Sequence, residues 1–331
     1  MTEILFKPIY NNIKTEFYDK IKHNKQFWEN LSYNINSLYI LKQNIDKVNW
    51  SLLCSNESAL KILEEHQNKI NWKWLSENKN AINILKQNPD KIDWFYLSIN
   101  KNAIDLLEQN LDKINWDQLS ENENALYLLE QNQNKINWFW LSQNKNAISI
   151  LKKNIDKINW PQLCLNKNAL QLLEQHQDKI DWFYLSKNEN AIDLLEQNLD
   201  KINWDQLCLN KKALHILEQH QDKINWDILS KNKNAISLLE KNLDKINWDL
   251  LCLNENAVHI LEQNKDKINW NLIASNKNIC QLICHLDYSR MKENNYIFLE
   301  ELCAWVFNPK RLNRIAIMYN ISSLDKLLEY Y

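Results

Sequence analysis

Apolar and polar residues alternate along most of the chain in a pattern that returns every 22 residues. We number the repeat positions 1 to 22 from the tryptophan that marks each copy. A period of about 20–50 residues is typical of solenoids and related arrays, in which each unit packs on its neighbours. The marker residues of the twelve copies are Trp28, Trp50, Trp72, Trp94, Trp116, Trp138, Trp160, Trp182, Trp204, Trp226, Trp248 and Trp270.

Each repeat carries two short apolar stripes with helical spacing. Trp at position 1, Leu at 4 and Ser or Cys at 5 form the first stripe, and this i, i+3, i+4 spacing predicts a helix with one buried face. Ala at 10, an aliphatic residue at 11 and 13, and Leu at 14 predict a second helix. Asn or Asp at position 22 precedes each tryptophan from Trp50 onward and is a preferred N-cap. Helices of about two turns are marginal alone in water, so stacking must stabilise them.

Three asparagine positions predict the ends of these helices. The chain has no glycine, and asparagine tolerates the left-handed conformation better than most other residues. Position 7, which is Asn in all twelve copies, is therefore predicted to end the first helix with a positive φ. Position 9 is predicted to be the N-cap of the second helix. Position 17, Asn or His, is predicted to end that helix in the left-handed region.

The pattern predicts an all-α fold, a right-handed α-solenoid of about twelve 22-residue, two-helix repeats. The array covers residues 28–286, with a helical N-terminal cap at 1–27 and a helical C-terminal cap at 287–331. With layers about 8–10 Å apart, the open stack would be about 100 Å long before curvature. The tryptophans are expected to form a buried ladder whose indole N–H groups donate to the asparagines.

The amino-acid composition limits the cellular compartment and the class of binding partner that we expect. The 40 basic and 42 acidic residues give a net charge of −2, which provides no global attraction to nucleic acid or lipid. No apolar run reaches about 18 residues and no secretion signal is evident, so we expect a non-secreted protein without a membrane span. Four of the seven cysteines share position 5, layers apart, where they cannot easily pair. A reduced, cytoplasmic location is the expectation.

The sequence offers no catalytic constellation, so we expect no enzyme and no cofactor. The absence of glycine excludes a Gly-rich phosphate loop. Cys280, Cys284 and His285, with Cys303, have the residue types of a zinc site in a non-standard spacing. Buried thiols are the preferred interpretation, and a metal there stays an open alternative. The lysine stripe at position 20 is interpreted as a solvated edge, with phosphate tracking as the alternative.

Aromatic residues at positions 2 and 3 are the candidate partner surface. They lie off the first apolar stripe, and alternate repeats carry Asp-Gln or Pro-Gln there, so the fold does not require them. Tyr and Trp are enriched in binding hot spots, although packing between layers is the alternative. Arginines of the C-terminal segment are a second candidate, for an acidic partner. The residues are Trp74, Phe95, Tyr96, Phe139, Trp140, Phe183, Tyr184, Arg311 and Arg314.

The repeat also supports a resemblance. Its unit reads W-x-x-L-S/C-x-N-x-N-A-I/L-x-I/L-L-E/K-x-N/H-x-D/N-K-I-N/D, and residues 306–312 read VFNPKRL. The unit resembles the short Trp- and Asn-rich repeat proteins that giant DNA viruses encode in multiple copies. The later segment is similar to the V-F-H-P-x-R-I/L ending of those proteins, with Asn308 where His is frequent. The resemblance implies a viral protein of the host cytoplasm with an interaction role, and it supplies no catalytic residues.

Two functional classes follow from these observations. The favoured hypothesis is a non-enzymatic scaffold that binds a protein partner through the first-helix side of the array. The alternative is a nucleic-acid-binding helical repeat protein, which would need a net basic face. Neutral overall charge and acidic residues at position 2 favour the scaffold. The identity of the partner and the oligomeric state do not follow from the sequence.

Overall fold

The computed structural model describes residues 10–286, and this part is helical apart from two short strands. Every layer has the two predicted elements, except that the first helix of layer 12 is replaced by a 3₁₀ turn, Ile273–Ser275. The first helices span Lys25–Tyr33, Trp50–Cys54, Trp72–Glu77, Trp94–Ile99, Trp116–Glu121, Trp138–Gln143, Trp160–Leu165, Trp182–Leu185, Trp204–Cys208, Trp226–Leu229 and Trp248–Cys252.

The second helices follow at regular intervals, and short 3₁₀ turns connect most layers. The second helices span Leu38–Gln43, Leu60–Glu65, Ile82–Gln87, Ile104–Glu108, Leu126–Gln131, Ile148–Lys153, Leu170–Gln175, Ile192–Glu196, Leu214–Gln219, Ile236–Glu240, Val258–Gln263 and Ile279–Ile283. The connecting turns span Ile45–Lys47, Gln67–Lys69, Pro89–Lys91, Gln133–Lys135, Ile155–Lys157, Gln177–Lys179, Gln221–Lys223 and Lys265–Lys267.

The chain forms two compact units. One contains residues 14–283, with all the repeat helices and a further helix, Thr15–Ile21. The other contains residues 1–13 and 284–331, and its described part is an antiparallel pair of strands, β1 (Tyr10–Ile13) and β2 (Cys284–Leu286). Of the predicted N-terminal cap, the structure therefore describes a strand and one helix. The predicted C-terminal cap lies outside the described residues.

The apolar stripes form the core as predicted. Leu at position 4, Ser or Cys at 5, Ala at 10 and Leu at 14 are almost completely buried in nearly every layer. The N-cap at position 22 is also confirmed, since Oδ1 of Asn49 accepts a hydrogen bond from the Leu52 N–H at 3.1 Å. These buried small and branched side chains therefore pack the two helices of each layer against the adjacent layers.

The tryptophan ladder differs from its prediction. Trp28 is buried, but the other eleven tryptophans are half-buried. In seven layers the position-20 lysine places its ammonium 4.6 to 5.0 Å from the centre of the tryptophan ring. In three others the position-17 histidine packs against the ring in a tilted arrangement, with centroids 4.9 to 5.2 Å apart. A cation over an indole face is stabilising, so the lysine stripe covers the edge of the core.

The position-7 asparagines are extended, and the predicted positive φ is wrong. Asn144 has φ −67° and ψ 113° and is 3% exposed. Its Nδ2 donates to the carbonyls of Ser120 and Asn122 in the preceding layer, both at 3.2 Å, and its Oδ1 accepts from the Asn146 N–H at 3.1 Å. The residue is retained because its amide joins consecutive layers.

The other two asparagine predictions are corrected in the same way. In layers 1 to 11 the residue before the second helix is position 10, mostly Ala, and position 9 gives no N-cap. Instead, Nδ2 of Asn146 donates to the Glu123 carbonyl of the preceding layer at 3.0 Å. At position 17, Asn154 has φ −135°, so it is not left-handed, and its Nδ2 donates to the Ile150 carbonyl at the helix end.

The array closes on itself. Nδ2 of Asn34 in layer 1 donates to the carbonyls of Ala274 and Asn276 in layer 12, at 3.0 and 2.8 Å, and Asn36 donates to the Lys277 carbonyl at 2.9 Å. Every other layer makes the two position-7 bonds to the layer before it, and nine other layers also make the position-9 bond. Layer 1 therefore occupies the place of a thirteenth layer. The solenoid is therefore a ring, not the open stack that we predicted. Twelve equal rotations of about 30° complete one turn.

The helix Thr15–Ile21 completes the join. Phe17 packs against Trp270 with ring centroids 5.4 Å apart, and Glu16 pairs with Lys265 at 3.0 Å. The Lys14 N–H donates to the Ile283 carbonyl at 2.7 Å. This helix thus covers Trp270, the tryptophan of layer 12.

The first helices form the inner row of the ring. Most consecutive first helices touch, and Lys25–Tyr33 contacts both Trp50–Cys54 and the turn Ile273–Ser275. Consecutive second helices approach one another much less, apart from Val258–Gln263 and Ile279–Ile283. Because the inner side of a closed array has the shorter circumference, the first helices surround the centre.

Removing an interlayer amide should destabilise the ring strongly. Asn144→Ala deletes two buried interlayer hydrogen bonds. The Ser120 carbonyl loses this donor, while the Asn122 carbonyl keeps its bond from the Ala125 N–H, and we expect a loss of about 2–4 kcal/mol in unfolding free energy. Urea denaturation followed by circular dichroism measures it. The matched control is Asn146→Ala, whose single interlayer bond is exposed and should cost less than about 1 kcal/mol. Equal losses in the two variants would contradict the assignment.

Asn34 tests the closure itself. In a ring, Asn34→Ala removes two buried bonds to layer 12 and should cost about as much as Asn144→Ala, roughly 2–4 kcal/mol. In an open stack, Asn34 would face no preceding layer and its loss would have little effect. A destabilisation within experimental error of zero, measured by the same urea titration, would show that the ring is open in solution.

Candidate functional site

The inner surface of the ring is lined by positions 3, 6 and 8. A cavity of about 620 Å³ runs along layers 12, 1, 2, 3 and 4, and therefore crosses the closure. Its lining includes Ser275, Tyr33, Leu52, Trp74 and Lys101. One concave surface is thus shared by five consecutive layers. We call the central opening that the first helices surround the lumen.

The predicted aromatic pairs lie on these inner helices. The position-2 rings of Phe95, Phe139 and Phe183 are 45%, 42% and 46% exposed. Each makes an edge-to-face contact with the half-buried aromatic ring that follows it, with centroids 5.0 to 5.2 Å apart. An exposed phenylalanine that is braced by its neighbour is a rigid apolar contact surface.

Trp74 and Tyr96 also pack across two layers. Their ring centroids are 5.6 Å apart, and the Lys73 ammonium lies 5.7 and 5.0 Å from the two rings. Together with Phe95 they form one continuous patch in layers 3 and 4. The predicted alternative, packing between layers, therefore applies here. The pairs of layers 6 and 8 lie farther around the ring, next to layers that carry glutamine at position 3. Arg311 and Arg314 lie outside the described residues.

A belt of half-buried apolar side chains encircles the lumen at position 3. Eight of the twelve layers carry an aliphatic or aromatic residue there, and none of the eight is fully buried. The other four carry Asn or Gln. We call this set the position-3 belt. Its apolar members are Leu52, Trp74, Tyr96, Trp140, Tyr184, Ile228, Leu250 and Leu272.

A second feature, which the sequence analysis missed, is a circle of charges at position 8. We call it the position-8 ring. Glu123 pairs with Lys101 and Lys145 of the flanking layers at 2.8 and 2.9 Å, and Glu189 pairs in the same way with Lys167 and Lys211. The signal was present in the sequence, because Lys-Glu-Lys recurs at position 8 over three consecutive groups of three repeats.

These pairs perturb the glutamates. The hydrogen bond from Lys167 lowers the pKa of Glu189, against the opposing effect of partial burial. For Glu255 the Lys233 bond likewise lowers the pKa. Partial burial would raise the pKa of Glu123, but the bonds to Lys101 and Lys145 outweigh it and the pKa falls. All three glutamates are therefore held in the charged form.

The cysteines of position 5 are buried and protonated. Burial raises the pKa of the Cys164, Cys208 and Cys252 thiols to about 11, which suppresses the reactive thiolate. The position-5 cysteines, Cys54, Cys164, Cys208 and Cys252, are free thiols. Among residues 10–286 no three metal-ligating side chains come together. Cys280 and Cys284 are buried, whereas Cys303 lies outside the described range, so the structure adds no support for the zinc alternative.

The histidines of the array have structural surroundings. His66, His176 and His220 pack against tryptophans of their own repeats. His215 and His259 are exposed on second helices, where each bonds a glutamate of the preceding layer. None of these five lies on the inner surface.

Comparison of the chain with protein-family models, curated protein sequences and solved structures gave no match. Within residues 10–286, no helix has both the length and the apolar character that crossing a membrane requires. The candidate site therefore rests on the geometry of the inner surface alone.

The position-8 ring should contribute stability that depends on pH. Because the pKa of Glu189 is lower in the folded state, its contribution is complete above the unfolded value of about 4.3 and is lost as pH falls through the folded value. We expect Glu189→Gln to lower the melting temperature at pH 7, and the difference from wild type to shrink as pH falls below the unfolded value. Glu130→Gln, exposed on an outer helix, is the control. A difference as large at pH 3 as at pH 7 would contradict the ion-pair explanation.

Proposed function

We propose that this protein is a non-enzymatic scaffold that binds a protein partner on the inner, first-helix side of its ring. The observation that carries the proposal is the set of exposed phenylalanines, Phe95, Phe139 and Phe183, each braced by a second aromatic ring. The fold does not need them, since layer 5 accommodates Asp117 and Gln118 at the same positions. Apolar surface that folding leaves exposed is a typical protein contact site.

The charge distribution weighs against nucleic acid. A phosphate-binding surface needs lysines that are free to replace counterions. At position 20, most lysines cover tryptophan rings. Position 2 carries five carboxylates and one lysine. These features favour a polypeptide partner.

The resemblance to giant-virus repeat proteins extends the proposal to a viral protein that acts on host or viral proteins in the host cytoplasm. Free, buried cysteines such as Cys164 and Cys208 fit a reducing compartment. A non-enzymatic role fits the position of the histidines, which pack against tryptophan or pair with glutamate outside the inner surface.

The test replaces the aromatic pairs with residues that the same positions carry in other layers. Phe95, Phe139 and Phe183 become Ser, as at Ser51, and Tyr96, Trp140 and Tyr184 become Gln, as at Gln118. Affinity purification from infected or host cytoplasm, followed by mass spectrometry, compares this variant with wild type. We expect partners that wild type captures to fall at least about tenfold in the variant, because hot-spot rings carry most binding energy.

The control for this experiment is Tyr127→Gln. Tyr127 is 66% exposed on a second helix, on the outer side of the ring. Its loss should leave the captured partners unchanged. If the six-residue variant has the circular dichroism spectrum of wild type and retains every partner, the aromatic pairs are packing residues and the scaffold proposal fails at this site.

A further inference from the structure

The two edges of the inner surface carry opposite charge. Position 2, at the start of each first helix, has five carboxylates and one lysine around the ring. Position 8, just beyond its end, has seven lysines and four glutamates. The position-3 belt lies between these edges and is largely apolar. Along the lumen, an acidic and aromatic edge is therefore followed by an apolar belt and then by a basic edge.

Most lysines at position 8 belong to groups of three residues from consecutive layers, in which one glutamate lies between two lysines. We call these groups trios. Glu123 is shared by Lys101 and Lys145, and Glu189 by Lys167 and Lys211. Each trio has two ammonium groups for one carboxylate, so position 8 taken by itself has one excess positive charge in each trio. Glu121, at position 6, also lies close enough to Lys101 to interact with its charge. Residues 233, 255 and 277 repeat the Lys-Glu-Lys order in layers 10 to 12.

The remaining quarter of the position-8 ring is neutral. Layers 1 to 3 carry Ile35, Glu57 and Lys79, and the two charged residues pair at 2.9 Å. Each of the other three quarters thus has one lysine ammonium group for which the position-8 ring provides no glutamate. A charged opening with low-dielectric walls concentrates ions of the opposite sign, so the basic edge attracts carboxylates.

The lumen has room for one polypeptide segment. Eleven first helices and one 3₁₀ turn, spaced about 8–10 Å apart, place their axes on a circle roughly 30–38 Å across. Subtracting one helix diameter of about 10–12 Å leaves an opening of roughly 20–25 Å. A single helix or an extended strand fits through it with its side chains. A folded domain of 100 residues, with a radius of gyration of about 13 Å, does not.

We propose that the lumen binds a polypeptide segment with one apolar part and one acidic part, which enters from an end and places its carboxylates against the position-8 ring. Position 8 lies beyond the end of the first helix that carries position 3, so the acidic part of the ligand lies on the basic-edge side of its apolar part. Apolar side chains contact the position-3 belt, and each carboxylate completes one Lys-Glu-Lys trio. This inference rests on the proposed scaffold function and names its partner chemistry.

The probe is a fluorescent peptide of about 16 residues, about 24 Å long as a helix, with Leu and Phe in one half and Glu in the other. Fluorescence anisotropy measures its binding to the full chain. We expect it to bind at least about tenfold more tightly than the same peptide with Lys in place of Glu, with an affinity that falls as salt rises. A charge-inverted peptide that binds equally well would overturn the proposal.

The protein variants locate the carboxylate contact. Lys145→Gln/Lys211→Gln/Lys277→Gln removes one lysine from each trio and should weaken the acidic peptide about tenfold, without affecting the Lys-substituted peptide. The control is Lys61→Gln/Lys86→Gln/Lys152→Gln, which removes the same charge from exposed positions of second helices. We expect the control to bind like wild type. Equal weakening in both variants would mean that overall charge, not the position-8 ring, attracts the peptide.

Entry into a closed lumen has a topological signature. A peptide fused to a folded domain at one end can still insert its free end, whereas a peptide with folded domains at both ends cannot. We expect the first fusion to bind like the peptide and the second to lose binding. Equal binding of the two fusions would place the contact on an open face and refute lumen entry.

Two further outcomes would refute the proposal while leaving the scaffold function to its own test. One is no binding of the acidic peptide up to 1 mM. The other is tighter, competing binding of a single-stranded RNA of similar length. Partner capture that depends on the aromatic pairs is measured separately, so a failed peptide experiment with intact capture rejects only the lumen ligand. If the peptide binds but partner capture does not depend on the aromatic pairs, only the assignment of those pairs is rejected.

Discussion

The whole ring depends on one buried amide per layer. Each position-7 asparagine donates to two carbonyls of the preceding layer and accepts one N–H of its own loop, as at Asn144. Buried backbone carbonyls at helix ends need donors, and short helices cannot provide them internally. The amide therefore satisfies the end of one layer with a group from the next, and this fixes the spacing and rotation between them. Closure at Asn34 is the same bond made once more.

Features that depend on local geometry could be predicted from the sequence. Helical spacing places Leu141 and Leu151 in the core, and an N-cap such as Asn137 needs only the three residues that follow it. The role of Asn144 could not be predicted, because its partners lie 22 and 24 residues earlier in the chain. Closure was missed because a period reports the number of layers and not the angle between them.

In the candidate site, too, some features could be predicted from a single repeat and others depend on neighbouring layers. The exposure of Phe95 and Phe139 follows from their place off the apolar stripe, so it could be predicted from one repeat. The position-8 ring is visible only when the same position is compared across layers, because Glu123 meets its lysines one layer before and one layer after. Such interlayer pairs require the fixed alignment of adjacent layers that the position-7 asparagines establish.

Ring closure changes what repeat duplication does. Residues 94–119 and 182–207 are identical at 24 of 26 positions, which indicates recent copying of blocks within the gene. In an open solenoid a gained repeat only lengthens the protein. In a ring, each gained or lost repeat changes the diameter by roughly 3 Å, while each interlayer rotation changes by only about 2–3°. The number of repeats then determines the diameter of the ring, so a single unequal recombination event could alter the width of its opening without redesigning any interface.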